Sequence, residues 1–298
     1  MRYRRLGRTN LEVSEIGLGG SRMGGRNNER PIEEGVKVVH RAMELGVNFI
    51  DTAPLYGRGY SEQIIGAALE GIENPPFIAT KLGYLPEGFD YSYDTCMRCF
   101  DDSLKRLRRE NVTLLQIHEA DRAGWEGVFG KGKALEALKA IRDEGRCRFI
   151  GITGYDPDVL ADMLETGEFD SVLNFLHYDL LGQAALRKLV PTAAKLDAGI
   201  ILGSPLHMGV LTARRDEIPA ARGRLEDEDI RQRLAAVLAI LEEYREPLSV
   251  AGLKFLLFDE RVSVAIPAAE RPQEVEENVA GSGDAPFPAS LRRKILSL

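Results

Sequence analysis

Short runs of apolar, often β-branched residues alternate along this chain with longer stretches in which apolar positions recur every three or four residues. Ile16–Gly19 precedes Glu33–Leu45, where Val36, Val39, Ala42, Met43 and Leu45 follow the spacing of one helix face. The order repeats as Val47–Ile50 before Ser61–Leu69, Phe77–Thr80 before Tyr91–Leu107, and Val112–Ile117 before Ala134–Arg142. It continues as Arg148–Ile152 before Asp158–Leu164, Ser171–Phe175 before Ala184–Leu196, Gly199–Leu202 before Ser249–Phe258, and Val262–Ile266 before Pro272–Val279. These strands are too apolar to keep one face in water, so they belong to a parallel sheet covered by helices. Eight strand–helix units predict an α/β fold, a (β/α)8 barrel in one domain spanning 1–298. A doubly wound sheet is the rival arrangement for the same order of elements.

Two segments stand outside the repeat. Met1–Val13 predicts a small hairpin around Gly7-Arg8-Thr9-Asn10 that plugs the barrel floor. Residues 207–247 read as a loop plus an extra amphipathic helix, Asp229–Tyr244, between the seventh strand and its helix; a loop of this length on such a scaffold is often a lid. The tail after Asp284 ends in Leu291–Leu298, read as a docked helix.

Composition narrows the function. Lys and Arg number 39 against 46 Asp and Glu, a net charge of −7, which argues against a nucleic-acid binder. Hydrophobic residues at 44% supply ample core and make disorder an unsuitable reading. No apolar run reaches the roughly 18 residues of a membrane span, and no apolar segment follows Met1-Arg2-Tyr3-Arg4-Arg5 as in a secretory leader. Three cysteines make no complete disulfide framework, so a reduced cytoplasm is the expected location. Cys96 and Cys99 lie within a helical stretch with no second Cys/His pair and are read as structural. The run Glu226–Asp229 is read as a charged helix N-terminus.

Several strands end abruptly in a polar side chain. Val47–Ile50 ends at Asp51, Phe77–Thr80 at Lys81, and Leu114–Ile117 at His118. In a barrel the C-terminal strand ends share one rim, so a carboxylate, an ammonium and an imidazole converge there. Tyr56, five residues past Asp51 on a stiff Ala53-Pro54 turn, adds a phenol. A free phenol is a poor acid at pH 7. A neighbouring ammonium is expected to lower its pKa, and a carboxylate to hold that ammonium in place. With His118 orienting a substrate oxygen, the set suits proton exchange during carbonyl reduction or alcohol oxidation, the hydride coming from a cofactor. Two other readings of the residues stay open: a barrel lyase with Lys81 as Schiff base, and a cofactor-sensing binding subunit. Trp125 after the fourth strand and His177 after the sixth are candidate walls of a sugar pocket, and His207 divides evenly between packing and substrate contact.

Leu6 through Ser14 with Ile16-Gly17-Leu18-Gly19, Gly46 through Gly57 followed by Ser61-Glu62, Ser103 through Leu107, and Gly145 through Gly151 resemble the aldo-keto reductases over nearly the whole chain. Val172 through Tyr178 and Ser204 through Thr212 resemble the branch of L-galactose and L-fucose (D-threo-aldose) dehydrogenases. The resemblance implies a barrel using NAD or NADP without a Rossmann fold. It implies Tyr56 as general acid/base, Lys81 and Asp51 as its tuning pair, and His118 as substrate orienter. The activity implied is oxidation of an aldose at C1, with reduction of aldehydes or ketones as the alternative; the substrate is a small molecule and no metal is implied.

Cofactor positions carry over with departures. Gly17-Leu18-Gly19-Gly20 lacks the Rossmann spacing and is read as close backbone approach to the cofactor or substrate, with Gly19 at the contact. Asn174 takes the place of the amide that grips the nicotinamide carboxamide. Thr153 matches the hydroxyl after the fifth strand, but the usual neighbouring Asn is Gly154. Gly203 stands where many relatives stack a Tyr on the nicotinamide, leaving Phe175 or Leu206 to hold the ring. Ser204, Leu206 and Gly209 follow on that rim, with Asp51 near the ring. The adenosine pocket falls on Ile266 through Asn278, where NADP-preferring relatives place a Lys and an Arg; here those positions are Ala268 and Glu274. Glu277 and Asn278 match residues that hold the adenine. A doubly charged 2′-phosphate needs cationic partners, so NAD is expected over NADP, with Arg271 the residue that speaks against that preference.

Overall fold

The computed structural model describes residues 1–25, 28–283 and 285–298. The chain opens with β1 (Tyr3–Arg5) antiparallel to β2 (Glu12–Ser14). Then β3 (Leu18–Gly19) leads to α1 (Ile32–Glu44), and β4 (Phe49–Asp51) to α2 (Tyr60–Ala68). β5 (Phe77–Leu82) passes through a small hairpin, β6 (Tyr84–Leu85) and β7 (Gly88–Phe89), to α3 (Tyr93–Leu107). β8 (Val112–Ile117) is followed by α4 (Ala120–Phe129) and α5 (Ala134–Asp143), β9 (Cys147–Gly154) by α6 (Pro157–Leu164), and β10 (Ser171–Phe175) by α7 (Leu189–Lys195). After β11 (Gly199–Gly203) come α8 (Pro219–Arg224), α9 (Glu228–Ile240) and α10 (Leu248–Leu257). β12 (Val264–Ile266) leads to α11 (Pro272–Val279), and α12 (Ala289–Leu296) ends the chain.

Strands β3, β4, β5, β8, β9, β10, β11 and β12 lie side by side in chain order, all parallel. Parallel bridges from Ile16 to Ala265 and from Gly19 to Ala268 join the two edges, with Gly17 N donating to Ala265 O at 2.8 Å and Gly19 N to Pro267 O at 3.0 Å. The sheet is therefore a (β/α)8 barrel, and the doubly wound alternative falls away. A Cβ on Gly19 would stand 2.8 Å from Ile266 O, so this glycine answers to barrel closure.

Two apolar layers hold the barrel. Inside it, Phe49, Ala79, Leu114, Leu173, Ile201, Val264 and Ile266 pack together, and Leu6, Leu11 and Val13 of the N-terminal hairpin close the floor as expected. The turn reaches so far in that a Cβ on Gly7, whose φ is +48°, would lie 2.3 Å from Gly199 N. Between sheet and helices a larger layer buries residues such as Val38, Ile64, Phe100, Leu138 and Phe255. Cys96, Cys99 and Cys147 are free and buried there; burial pushes all three thiols up to about 12, so they behave as small hydrophobes.

The loops are where expectation and structure part. Residues 119–133, between the fourth predicted strand and its helix, contain α4, which kinks at Gly124 (φ 65°, ψ 179°). The hairpin β6–β7 lies between the third predicted strand and its helix, and the short α8 falls in the part of 207–247 read as loop. Ala184–Leu196 is divided: a 3-10 turn at Ala184–Leu186 precedes α7, whose third residue is Pro191, where no intrahelical donor is required. The inserted helix ends at Ile240 rather than Tyr244, and Asp227 caps its start by accepting from Asp229 N at 2.9 Å. The last helix begins two residues early and buries Ile295. Asp284, from which the tail was counted, lies outside the described residues. Among the described residues no helix is long and apolar enough to cross a membrane.

Candidate active site

Side chains on a barrel strand point inward at every second residue. Phe49, Ala79 and Leu114 are interior. Two residues further on, the same face of β4, β5 and β8 presents Asp51, Lys81 and Gln116, so the apolar core gives way to a buried polar layer at the C-terminal rim. The Lys81 ammonium has three protons and three acceptors: Asp51 Oδ1 at 2.5 Å, Thr52 O at 2.8 Å and Tyr56 Oη at 3.2 Å. Gln116 Nε2 donates to the other carboxylate oxygen of Asp51 at 3.0 Å. Because the Tyr56 oxygen accepts from Lys81, its own hydroxyl proton is not used in that contact and stays free to donate.

The segment carrying Tyr56 is braced locally. Thr52 N donates to Ala79 O at 2.8 Å, Ser61 N to Tyr56 O at 3.3 Å, and the Thr52 and Ser61 hydroxyls bond each other at 2.8 Å. Gly57, Arg58 and Gly59 all take positive φ, turning the chain into α2. His118 follows β8, its N donating to Leu82 O at 2.9 Å. Tyr91 Oη donates to His118 O at 2.8 Å and also reaches Glu119 O at 3.1 Å. Glu119, left-handed at φ 49°, donates its N to Thr153 Oγ1 at 3.0 Å. The imidazole is thereby aimed edge-on at the Tyr56 ring, centroids 5.9 Å apart at 88°, with Tyr84 of β6 at 5.3 Å. Its Nδ1 is buried without a partner.

Burial dominates the electrostatics. It works against the charge of Lys81, but Asp51 and Tyr56 outweigh it and hold the ammonium above its ordinary value. Burial pushes the Asp51 carboxyl up against the pull of Lys81 and Gln116. The Tyr56 phenol is also pushed up by burial, and Lys81 offsets only part of that. This corrects the expectation from sequence, which counted the ammonium and not the loss of water around the phenol. Burial, then Lys81, drives His118 well below its ordinary value, so the imidazole is neutral at pH 7 and can donate or accept a hydrogen bond at a substrate oxygen.

The candidate cofactor residues line the other side of the same rim. Asn174 Nδ2 donates to Gly154 O and Tyr155 O at 3.0 and 2.9 Å, leaving Oδ1 buried and without a donor, a position suited to a carboxamide N–H. A Cβ on Gly203 would meet Leu173 Cδ2 at 3.0 Å and Phe175 Cβ at 3.3 Å, so Phe175 already borders the space a larger residue would fill. Ser204 and Gly209 take positive φ in the turn that carries Leu206. At the β12–α11 end, Asn278 Nδ2 donates to Ala268 O at 3.4 Å and the Ser249 hydroxyl donates to Glu277. Glu274 accepts from Arg214 and from Glu270 N, and Glu270 pairs with Arg22. Arg271, the N-cap residue of α11, is exposed. The rim between Asn174 and Asn278 thus carries a buried, unpartnered acceptor at one end and charged side chains at the other.

The three candidate substrate contacts fare differently. His177 stacks edge-on against Tyr155 at 4.3 Å, with Nε2 buried and unpartnered and the ring held below its ordinary pKa by burial. Trp125 sits on α4 with its ring on Phe129 at 4.7 Å and remains 52% exposed. His207 is buried, its Nδ1 2.8 Å from Asp179 Oδ2 and its Nε2 3.1 Å from Arg224 Nη2, which assigns it to packing. Sequence reasoning passed over Gln116, Tyr84 and Tyr91. A lone amide inside the apolar run Leu114–Ile117, two residues before His118, was the available signal for Gln116.

The Aldo/keto reductase family model matches residues 15–290. The chain belongs to the aldo/keto reductase family. It is 31% identical to an L-galactose dehydrogenase of Arabidopsis thaliana, covering 93% of this chain and 86% of that protein. It is 27% identical to a D-threo-aldose 1-dehydrogenase of a Pseudomonas species, covering 90% and 89%. The holo form of aldo-keto reductase AKR11C1 from Bacillus halodurans superposes with a TM-score of 0.80 at 25% identity, over 100% of this chain and 96% of the other. Family membership and the four converged side chains make the protein an NAD(P)-dependent oxidoreductase, and the nicotinamide supplies the hydride chemistry when bound.

Proposed function

We propose that the enzyme oxidises an aldose at C1 with NAD as its preferred cofactor. The observation that carries the reading is the Lys81 Nζ–Tyr56 Oη contact at 3.2 Å, with His118 edge-on beside it and Lys81 locked by Asp51. In this direction the deprotonated Tyr56 oxygen takes the C1 hydroxyl proton as the hydride leaves C1, and neutral His118 orients the same oxygen. The names of the relatives, dehydrogenases of L-galactose and of D-threo-aldoses, support a sugar substrate. Tyr155 with His177, and Trp125 with Phe129, offer ring faces of the kind that pack on sugar C–H surfaces.

Support for NAD comes from α11. By the family resemblance Glu274 and Ala268 stand where NADP-preferring relatives carry cations, and here Glu274 is engaged by Arg214 while Ala268 supplies no charge. Tighter binding of NADP than of NAD would refute this preference. One observation favours the second reading, reduction of an aldehyde or ketone: burial keeps the phenol protonated, as a proton donor to a carbonyl oxygen must be. A panel of aldoses, polyols and aldehydes, followed in both directions by the absorbance of reduced nicotinamide, separates the two. We expect turnover with aldoses and NAD; turnover confined to aldehyde or ketone reduction would replace the first reading with the second.

A further inference from the structure

Gly154 closes β9 beside Asn174 of β10, with which it is in register. A Cβ at 154 would stand 2.4 Å from Asp121 Oδ1, so the carboxylate of the neighbouring rim loop fills the space that a side chain there would occupy. Asp121 Oδ2 accepts from Tyr155 N at 3.0 Å and Asp156 N at 2.9 Å. Its Oδ1 is buried and has no donor, and among the described residues no cation pairs with it. Asn174, 1% exposed, has committed both amide hydrogens to backbone carbonyls, and its Oδ1 is likewise buried without a donor. Two unsatisfied acceptors therefore flank the same backbone turn, a costly arrangement until donors arrive.

The missing ligand group must bring N–H donors, preferably two on one planar nitrogen. A primary carboxamide has that shape, and the nicotinamide carries one. The two acceptors also differ in charge. The oxidised ring is cationic and the reduced ring neutral, so an unpaired carboxylate beside the ring stabilises the oxidised form selectively. We infer that Asp121 is a cofactor-binding residue that accepts from the nicotinamide carboxamide together with Asn174 and makes the protein hold the oxidised cofactor more tightly relative to the reduced one than an uncharged residue would. The inference rests on the reading that the nicotinamide lies beside Asn174.

The test is Asp121→Asn. The carbonyl oxygen of the new side chain keeps both backbone donors, while its NH2 group replaces the unpaired oxygen and removes the charge. Affinities for NAD and NADH are read separately by quenching of protein fluorescence, which reports on Trp125, the one tryptophan of the chain. We expect the affinity for NAD to fall about a hundredfold more than that for NADH, as one unit charge acting across about 6 Å at an effective dielectric near 20 implies. Equal losses for both forms assign Asp121 to holding the turn alone and overturn the proposal, as does an unchanged ratio. A wild type that binds neither form overturns the cofactor reading and the proposal with it. The double variant Asp121→Ala/Gly154→Asn, which brings a neutral amide from the other strand, should bind both forms with the ratio of Asp121→Asn; a wild-type ratio there refutes the charge effect.

Discussion

Lys81 and Asp51 are 1% and 2% exposed, 2.5 Å apart, and their separation is a sharp probe of the whole site. Lys81→Met keeps the length of the side chain and removes the charge. Asp51 is then left buried with Gln116 as its remaining donor. Breaking a buried pair from one side costs about 3–5 kcal/mol, because the other charge stays uncompensated. Asp51→Asn/Lys81→Met removes both charges and recovers that cost. Both variants lose the donor to Thr52 O equally, so the difference between them isolates the stranded carboxylate. At about 2.1 cal/mol/K per residue, the unfolding entropy of a 298-residue chain is about 0.6 kcal/mol/K, so the double variant should melt about 5–8 °C above Lys81→Met. Neither should turn over substrate. The gap should also close in acid. The stranded carboxyl has a folded pKa raised above its unfolded value, so its penalty is felt at high pH and relieved as pH falls through the folded pKa. Calorimetry at pH 7.5 and pH 5 reads both effects. Equal melting temperatures at pH 7.5 would show that Asp51 and Lys81 are not the buried ion pair described here.

Tyr56→Phe should lower turnover about 10²–10⁴-fold, the scale of a positioned proton donor, while cofactor affinity measured by fluorescence stays within about twofold; undiminished turnover would remove Tyr56 from the chemistry. His118 is held well below its ordinary pKa, so the stability it confers is present above pH 6.5 and is lost as pH falls toward the folded value. His118→Gln should therefore flatten the acid side of the stability curve by up to about 1.4 kcal/mol per pH unit in denaturant titrations, and an unaltered slope would mean that the ring is not shielded as described. Gly7→Ala puts a methyl group 2.3 Å from Gly199 N at a left-handed residue, and should cost at least about 2 kcal/mol in denaturant unfolding. A neutral effect there would mean the hairpin does not seal the floor.

The barrel and its proton-transfer set were legible in the residues because both depend on local rules. Strand and helix periods read directly from apolar spacing, and the first polar residue after an apolar strand falls on the C-terminal rim wherever the strands are parallel. Asp51, Lys81 and His118 are such residues, and Tyr56 follows within one short turn. Helix α4 was hidden by Gly124 and Gly127, which weaken helix propensity, so contacts with α5 and β9 rather than its own sequence hold it. The sign of the Tyr56 shift went wrong for a related reason: an ammonium can be seen in the sequence, whereas the depth at which it is buried cannot.

The order of eight strand–helix units, the plug, and the polar residues that meet at the rim follow from residue type and near-neighbour spacing. The tertiary structure alone decided which distant groups share one space. That Lys81 spends its three protons on Asp51, Thr52 and Tyr56, that His207 belongs to Asp179, and that the Asp121 carboxylate stands where a side chain on Gly154 would stand all depend on loops meeting across the rim. Contacts between segments 25 or more residues apart are set by the closure of the barrel, and no period or local propensity along the chain encodes them.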